Sequence, residues 1–101
     1  MKNRTQYEEI CFQVISAAGG AKSCFLEAIE LAKAGEDHEA ALREGNAAFM
    51  EATKAHSKAL QLDATENLDV GLLLIHAETI LSSAETIRDL SSTIIELIKH
   101  K

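Results

Sequence analysis

Not one proline interrupts the 101-residue chain, and apolar residues return along it at alternating spacings of four and three. Proline lacks the backbone donor and clashes with the preceding turn, so its absence leaves nothing to break long helices. Tyr7, Cys11, Val14, Ala18, Ala21, Phe25, Ala28 and Ala32 form one such seam, of coiled-coil type. Abundant Ala, Leu, Ile, Glu and Lys, with only three Phe and one Tyr as aromatics, favour helix over sheet. These features predict an all-α fold, in one domain over residues 1–101 with a modest core.

Two breaks divide the chain. Gly35, behind Lys33 and Ala34, has the place of a C′ glycine, and Glu36-Asp37 that of an N-cap with an acidic first turn. The run Leu62-Asp63-Ala64-Thr65-Glu66-Asn67 interrupts the periodicity with cap-forming residues, and Asn67 is placed to cap the next helix. Three helices are predicted, at about residues 4–34, 37–63 and 68–100. Such short connections make consecutive helices antiparallel neighbours, an up-down-up bundle of the spectrin-repeat kind.

Each helix carries its own seam. In the first, the small segment Ser16-Ala17-Ala18-Gly19-Gly20-Ala21 predicts close approach of a neighbour or a slight kink, at a cost of about 1 kcal/mol per glycine relative to alanine. No strand precedes it and no GxxxxGK[ST] pattern is present, so it is not a phosphate-binding loop. The second places Leu42, Gly45, Phe49, Ala52, His56 and Ala59 on its seam. The third places Leu73, Ile80, Ile87 and Ile94 at one seam position and His76, Ser83, Leu90 and Leu97 at the other. Ala77, Ala84 and Ser91 flank that seam on one side, and Thr79, Thr86 and Thr93 on the other. Leu72, Leu74, Ile75 and Leu81 are apolar beyond any single seam, which predicts self-association through this helix and a homo-oligomer.

A net charge of −6 argues against nucleic acid or an anionic membrane surface as partner. The opening residues, Met1 to Glu9, have no apolar stretch behind their positive start and do not read as a secretory signal. No apolar run approaches the roughly 18 residues that span a bilayer. Cys11 and Cys24 lie about 20 Å apart along one helix and cannot pair within the chain, which suits reduced thiols and a cytoplasmic setting.

Chemistry is sought first at His76, set in Gly71-Leu72-Leu73-Leu74-Ile75-His76-Ala77-Glu78, where apolar side chains point to every side of the helix. Such a histidine is a buried structural residue or a functional one. His56 and His76 stand equally far from Glu66, about 15 Å up their helices, so the two imidazoles are predicted at similar heights. A zinc site from His56, His76 and a carboxylate is one sharp alternative, although H-E-x-x-H is absent and His76-Ala77-Glu78 lacks the Pro-Cys-x-x-Cys half of a zinc deaminase. Nucleophilic attack of a neutral ring nitrogen on phosphorus is the other, with Thr79 and Ser83 on the same face as donors to phosphoryl oxygens.

Over roughly residues 8–100 the chain resembles the lactose/cellobiose-specific enzyme IIA component of the bacterial phosphoenolpyruvate-dependent sugar phosphotransferase system. The resemblance rests on Ala18-Gly19-Gly20-Ala21-Lys22-Ser23, on Ala32-Lys33-Ala34-Gly35, on Ala55-His56 and on Leu72-Leu73-Leu74-Ile75-His76-Ala77, in that order and spacing. It implies a cytoplasmic homotrimer of three-helix subunits in which His76 accepts a phosphoryl group from the phosphocarrier HPr. The group then passes to a cysteine of the sugar-specific IIB component, and the IIC permease links the chain to the membrane only indirectly. No cofactor is implied. The family typically has Ala-Gln-Asp-His after the active histidine, whereas this chain has Ala77-Glu78-Thr79-Ile80. In the family the aspartate at the Thr79 position helps bind a metal ion on the trimer axis, so no metal site is predicted here. Glu78 puts a carboxylate where an amide would donate, which repels a phosphohistidine. The reading from a different class is a helical interaction or regulatory module that keeps the bundle without transferring phosphate.

Overall fold

The computed structural model describes residues 2–66 and 71–100, with side chains described for 5–63 and 71–100. Among them are three helices and no strand: α1 (Lys2–Lys33), α2 (Glu39–Glu66) and α3 (Leu72–Lys99). The α1 to α2 turn forms as the sequence predicts. Gly35 takes a positive φ of 74°, which glycine adopts without steric cost. Its N–H donates to the Ala32 carbonyl at 3.1 Å and that of Glu36 to the Leu31 carbonyl at 2.9 Å, which closes a Schellman motif. Asp37 Oδ1 accepts from the Glu39 N–H at 3.0 Å, so the helix starts two residues later than predicted. The second break falls elsewhere too. α2 runs on through Glu66, and α3 starts at Leu72 behind Gly71, whose extended backbone (φ −115°) brings no side-chain cap. Asn67, predicted to cap α3, lies outside the described residues.

α1 is the spine of the rod, 54 Å long and about 17 Å across, with both other helices packed on it more closely than on each other. The core forms three layers. Tyr7, Cys11 and Val14 meet Ala55, Ala59, Leu74 and Ala77; Ala18, Ala21 and Phe25 meet Phe49, Ala52 and Ala84; Ala28 and Ala32 meet Ala41 and Ile95. From layer to layer residue numbers climb along α1 and α3 and descend along α2. Ten of the seventeen buried hydrophobics among the described residues are alanine, so the helices approach closely and little large side chain is enclosed.

This small-residue contact rotates α3 away from its predicted seam. Ala77, Ala84 and Ser91, placed as flanking residues by the sequence, lie fully buried at the centre with Leu74 and Ile95. Ser91 is satisfied there by donating from Oγ to the Arg88 carbonyl at 2.8 Å. Leu73, Ile80 and Ile87 pack at the edges of the core, while His76, Leu90, Ile94 and Leu97 face out. The close approach predicted for Ser16 to Ala21 occurs within that segment but not at its glycines, since no atom of a neighbouring element lies within 4 Å of a Cβ built at Gly19 or Gly20. The neighbours are met at Ala18 and Ala21 instead, and α1 runs unbroken past both glycines. The glycine that packing requires is Gly45, where a Cβ would stand 2.8 Å from Phe25 Cε1. Arg88 of α3 stacks over the Phe49 ring of α2, 4.4 Å from its centroid. No helix among the described residues is long and apolar enough to cross a membrane.

Both cysteines are free thiols. Burial pushes the Cys11 thiol above its ordinary 9.0, with Glu78 and Glu8 adding to the effect, and burial with Glu44 and Glu27 does the same to Cys24. The folded state therefore holds these protons more tightly than the unfolded chain, and their contribution to stability is complete below about pH 9 and lost as pH rises past it. Urea-unfolding midpoints are expected to fall above that pH, with a shallower fall in Cys11→Ala. In the same assay at neutral pH, Gly20→Ala gains about 0.5–1 kcal/mol by removing backbone freedom at an open helical position. Gly45→Ala instead loses about 1–2 kcal/mol by overpacking against Phe25.

Candidate functional site

His76 stands on the exposed side of α3, little more than one turn from the start of the helix. The backbone there is regular, with the Ile75 N–H donating to the Gly71 carbonyl at 3.3 Å, so a helical frame aims the ring outward. Its neighbours on that face are apolar and unburied: Leu72 is 84% and Ile75 51% exposed. Further along the same side Leu90, Ile94 and Leu97 are exposed as well. The reading of His76 as a buried structural residue is thereby corrected. Its position next to Ala77 turns it away from the core as soon as alanine becomes the point of contact.

The structure does not gather the remaining predicted residues around that ring. His56 is half-buried on α2, and its Nε2 lies 2.9 Å from Glu78 Oε2. Two positions along a helix rotate a side chain by about 200°, so the partner of His56 points to the opposite side of α3 from His76. The matched heights predicted for the two histidines therefore bring His56 to Glu78 and not to His76. Zinc held by His56, His76 and a carboxylate fails on the same geometry, and no group of three His, Cys, Asp or Glu among the described residues is placed to hold a metal ion. Thr79 is on the His76 side, one turn on, and its Oγ1 donates to the Ile75 carbonyl at 2.9 Å. That proton must be released before the hydroxyl can donate to another oxygen. Ser83 is half-buried, two turns beyond His76.

Sequence reasoning missed the pairing of Glu78 with His56, although both were marked as candidates. The signal was available in the apolar stripe on which His56 sits and in the register that sets it level with the start of α3. A cleft of about 480 Å³ lined by Gln6, Ile10, Lys58, Gln61 and Leu62 lies between α1 and α2 and takes no residue from α3. What the arrangement offers chemically is a solvent-facing imidazole on a rigid helix, bound by no hydrogen bond to another described residue and reachable by a partner's surface.

Comparison with known proteins identifies the family. The family model described as the lactose/cellobiose-specific IIA subunit of the phosphotransferase system matches residues 9–99. The lichenan-specific phosphotransferase enzyme IIA component of Bacillus subtilis (strain 168) is 38% identical, over 91% of this chain and 86% of that protein. Lactose-specific EIIA components are 29% identical in Staphylococcus aureus (strain N315), over 97% of this chain and 98% of that one, and 31% identical in Staphylococcus epidermidis, over 96% of each. No solved structure matches the chain. A family model spanning nearly the whole of α1, α2 and α3 leaves one assignment: this chain belongs to the lactose/cellobiose-specific IIA family of the sugar phosphotransferase system, whose members are phosphocarriers in sugar uptake.

Proposed function

We propose that His76 accepts a phosphoryl group from phospho-HPr and passes it to a cysteine of the cognate IIB component. The observation that carries this reading is the exposed ring of His76, unbonded within the described chain, on an unbroken helix inside the region that the family model matches. In the first step a neutral ring nitrogen attacks phosphorus in line. A new N–P bond forms at His76, the N–P bond of the donor breaks, and a net proton moves from one imidazole to the other. In the second, the IIB thiolate attacks, an S–P bond forms as the N–P bond at His76 breaks, and the leaving imidazole takes up the proton that the thiol gave up. Both steps are catalysed by placement, so an outward ring serves two successive partners where a buried one would serve neither. Thr79 supports the phosphoryl oxygens after its hydroxyl turns from the Ile75 carbonyl, and Ser83 lies further along the same side.

The chain acts in the cytoplasm as a homotrimer of up-down-up bundles, each a single IIA domain. Support for the assembly comes from Leu72, Ile75, Leu90, Ile94 and Leu97, which expose large apolar area along one helix while the core of the single chain is mostly alanine. Thr79, where the family has a carboxylate, leaves that axis without a metal ligand.

Two measurements test the reading. Incubation with phosphoenolpyruvate, enzyme I and HPr is expected to give one acid-labile phosphoryl adduct, absent in His76→Ala. Labelling of His76→Ala would overturn the assignment of the acceptor, and a wild-type chain that takes no label would favour the non-transferring module. Light scattering is expected to give about three times the 11.0 kDa chain mass. Leu90→Glu with Ile94→Glu should lower that mass to one chain, and a monomeric wild type would overturn the trimer.

A further inference from the structure

We propose that His56 is a positioning residue for transfer at His76: by holding the Glu78 carboxylate on the α2 side of α3, it keeps a fixed negative charge away from the incoming phosphoryl group. This rests on the phosphocarrier reading and goes beyond it, because it assigns a task to a pair that spans two helices. Glu78 follows the acceptor by two residues, so its carboxylate lies within a Debye length of any group on His76, whichever way the side chain points. Its direction is therefore what the fold has left to control. A carboxylate only accepts, so the 2.9 Å contact requires the proton on His56 Nε2, and the bond forms with the ring neutral or protonated. His56 is the better fixed partner. Its side chain is 22% exposed against 45% for Glu78, and it projects from a helix whose neighbours Ala55 and Ala59 are buried in the first core layer.

The tie matters for a second reason. α2 and α3 touch each other less than either touches α1, and α3 starts at Gly71 with no side-chain cap. His56–Glu78 is a polar tie between α2 and the first turns of α3, and His76 sits within those turns. Freed from His56, the Glu78 side chain gains rotamers that curl the carboxylate back along the helix surface, which shortens its distance to a phosphoryl group on His76.

The test follows phosphoryl transfer from phospho-HPr to His76 in wild type, His56→Ala, His56→Gln, Glu78→Gln and the double variant His56→Ala with Glu78→Gln. His56→Ala is expected to lower kcat roughly fivefold with KM for phospho-HPr little changed, because the repulsion acts on the transferring group. Glu78→Gln should transfer at least as fast as wild type. His56→Gln, whose amide still donates, should lie close to it, and the double variant should recover from the loss in His56→Ala. Nitrogen chemical shifts are expected to report the Nε2–H form for His56 in wild type and a changed tautomer balance in Glu78→Gln, independently of any transfer. A wild type that is never labelled overturns the phosphocarrier reading and this inference with it. If wild type is labelled but His56→Ala matches it, or the double variant stays as slow as His56→Ala, the inference alone is overturned.

Discussion

Close contact between alanine-lined faces sets the geometry on which the rest depends. Alanine lines the contact in every layer, Ala55, Ala59 and Ala77 in the first, Ala18, Ala21, Ala52 and Ala84 in the second, and Ala28, Ala32 and Ala41 in the third, so the helices pack closely. Few large side chains fit between surfaces that close. The others are moved to the edges, as Leu73, Ile80 and Ile87 are, or turned outward, as Leu72, Ile75, Leu90 and Leu97 are. Phe25, the largest of the fully buried side chains, is admitted because Gly45 faces it without a Cβ.

Such a core stabilises each chain by dispersion and close packing more than by area, since an alanine methyl removes little apolar surface from water. The aliphatic side chains that would add most to burial lie instead on the outer side of α3. One cause therefore has two effects. The alanine face that brings α3 against α1 also leaves an aliphatic face for another surface, and His76 lies within that second face.

The helices were legible in the sequence because their signals are local. A proline-free chain, a C′ glycine and spacings of four and three each act over a few residues, and α1 and the Gly35 turn follow from them directly. The seam of α1 was also read correctly, since on the central helix every seam residue is buried whichever neighbour it meets. On α3 the sequence offered two candidate faces, and hydrophobicity preferred the larger aliphatic one. The choice between them depends on how near α1 stands, which no property of α3 alone determines. The same gap explains the site. Heights along antiparallel helices follow from counting, and that reckoning came within two residues of the observed pairing. Rotation about the helix axis does not follow from counting, so His56 was matched to His76 when it meets Glu78.

A phosphoryl acceptor that must serve two proteins in turn faces a constraint that an enzyme with a closed pocket does not. It cannot be enclosed, so its selectivity has to come from the surface around the ring and from the charges allowed near it. The helix supplies rigidity. For the acceptor proposed at His76, charge is the harder requirement in a chain of net −6, because every carboxylate near that ring would oppose an arriving phosphoryl group while also attracting basic partners. The role proposed for His56, binding the Glu78 carboxylate on the α2 side of α3, would meet both demands. The net charge of the surface is kept for long-range attraction, and the short-range repulsion is directed away from the reacting atoms.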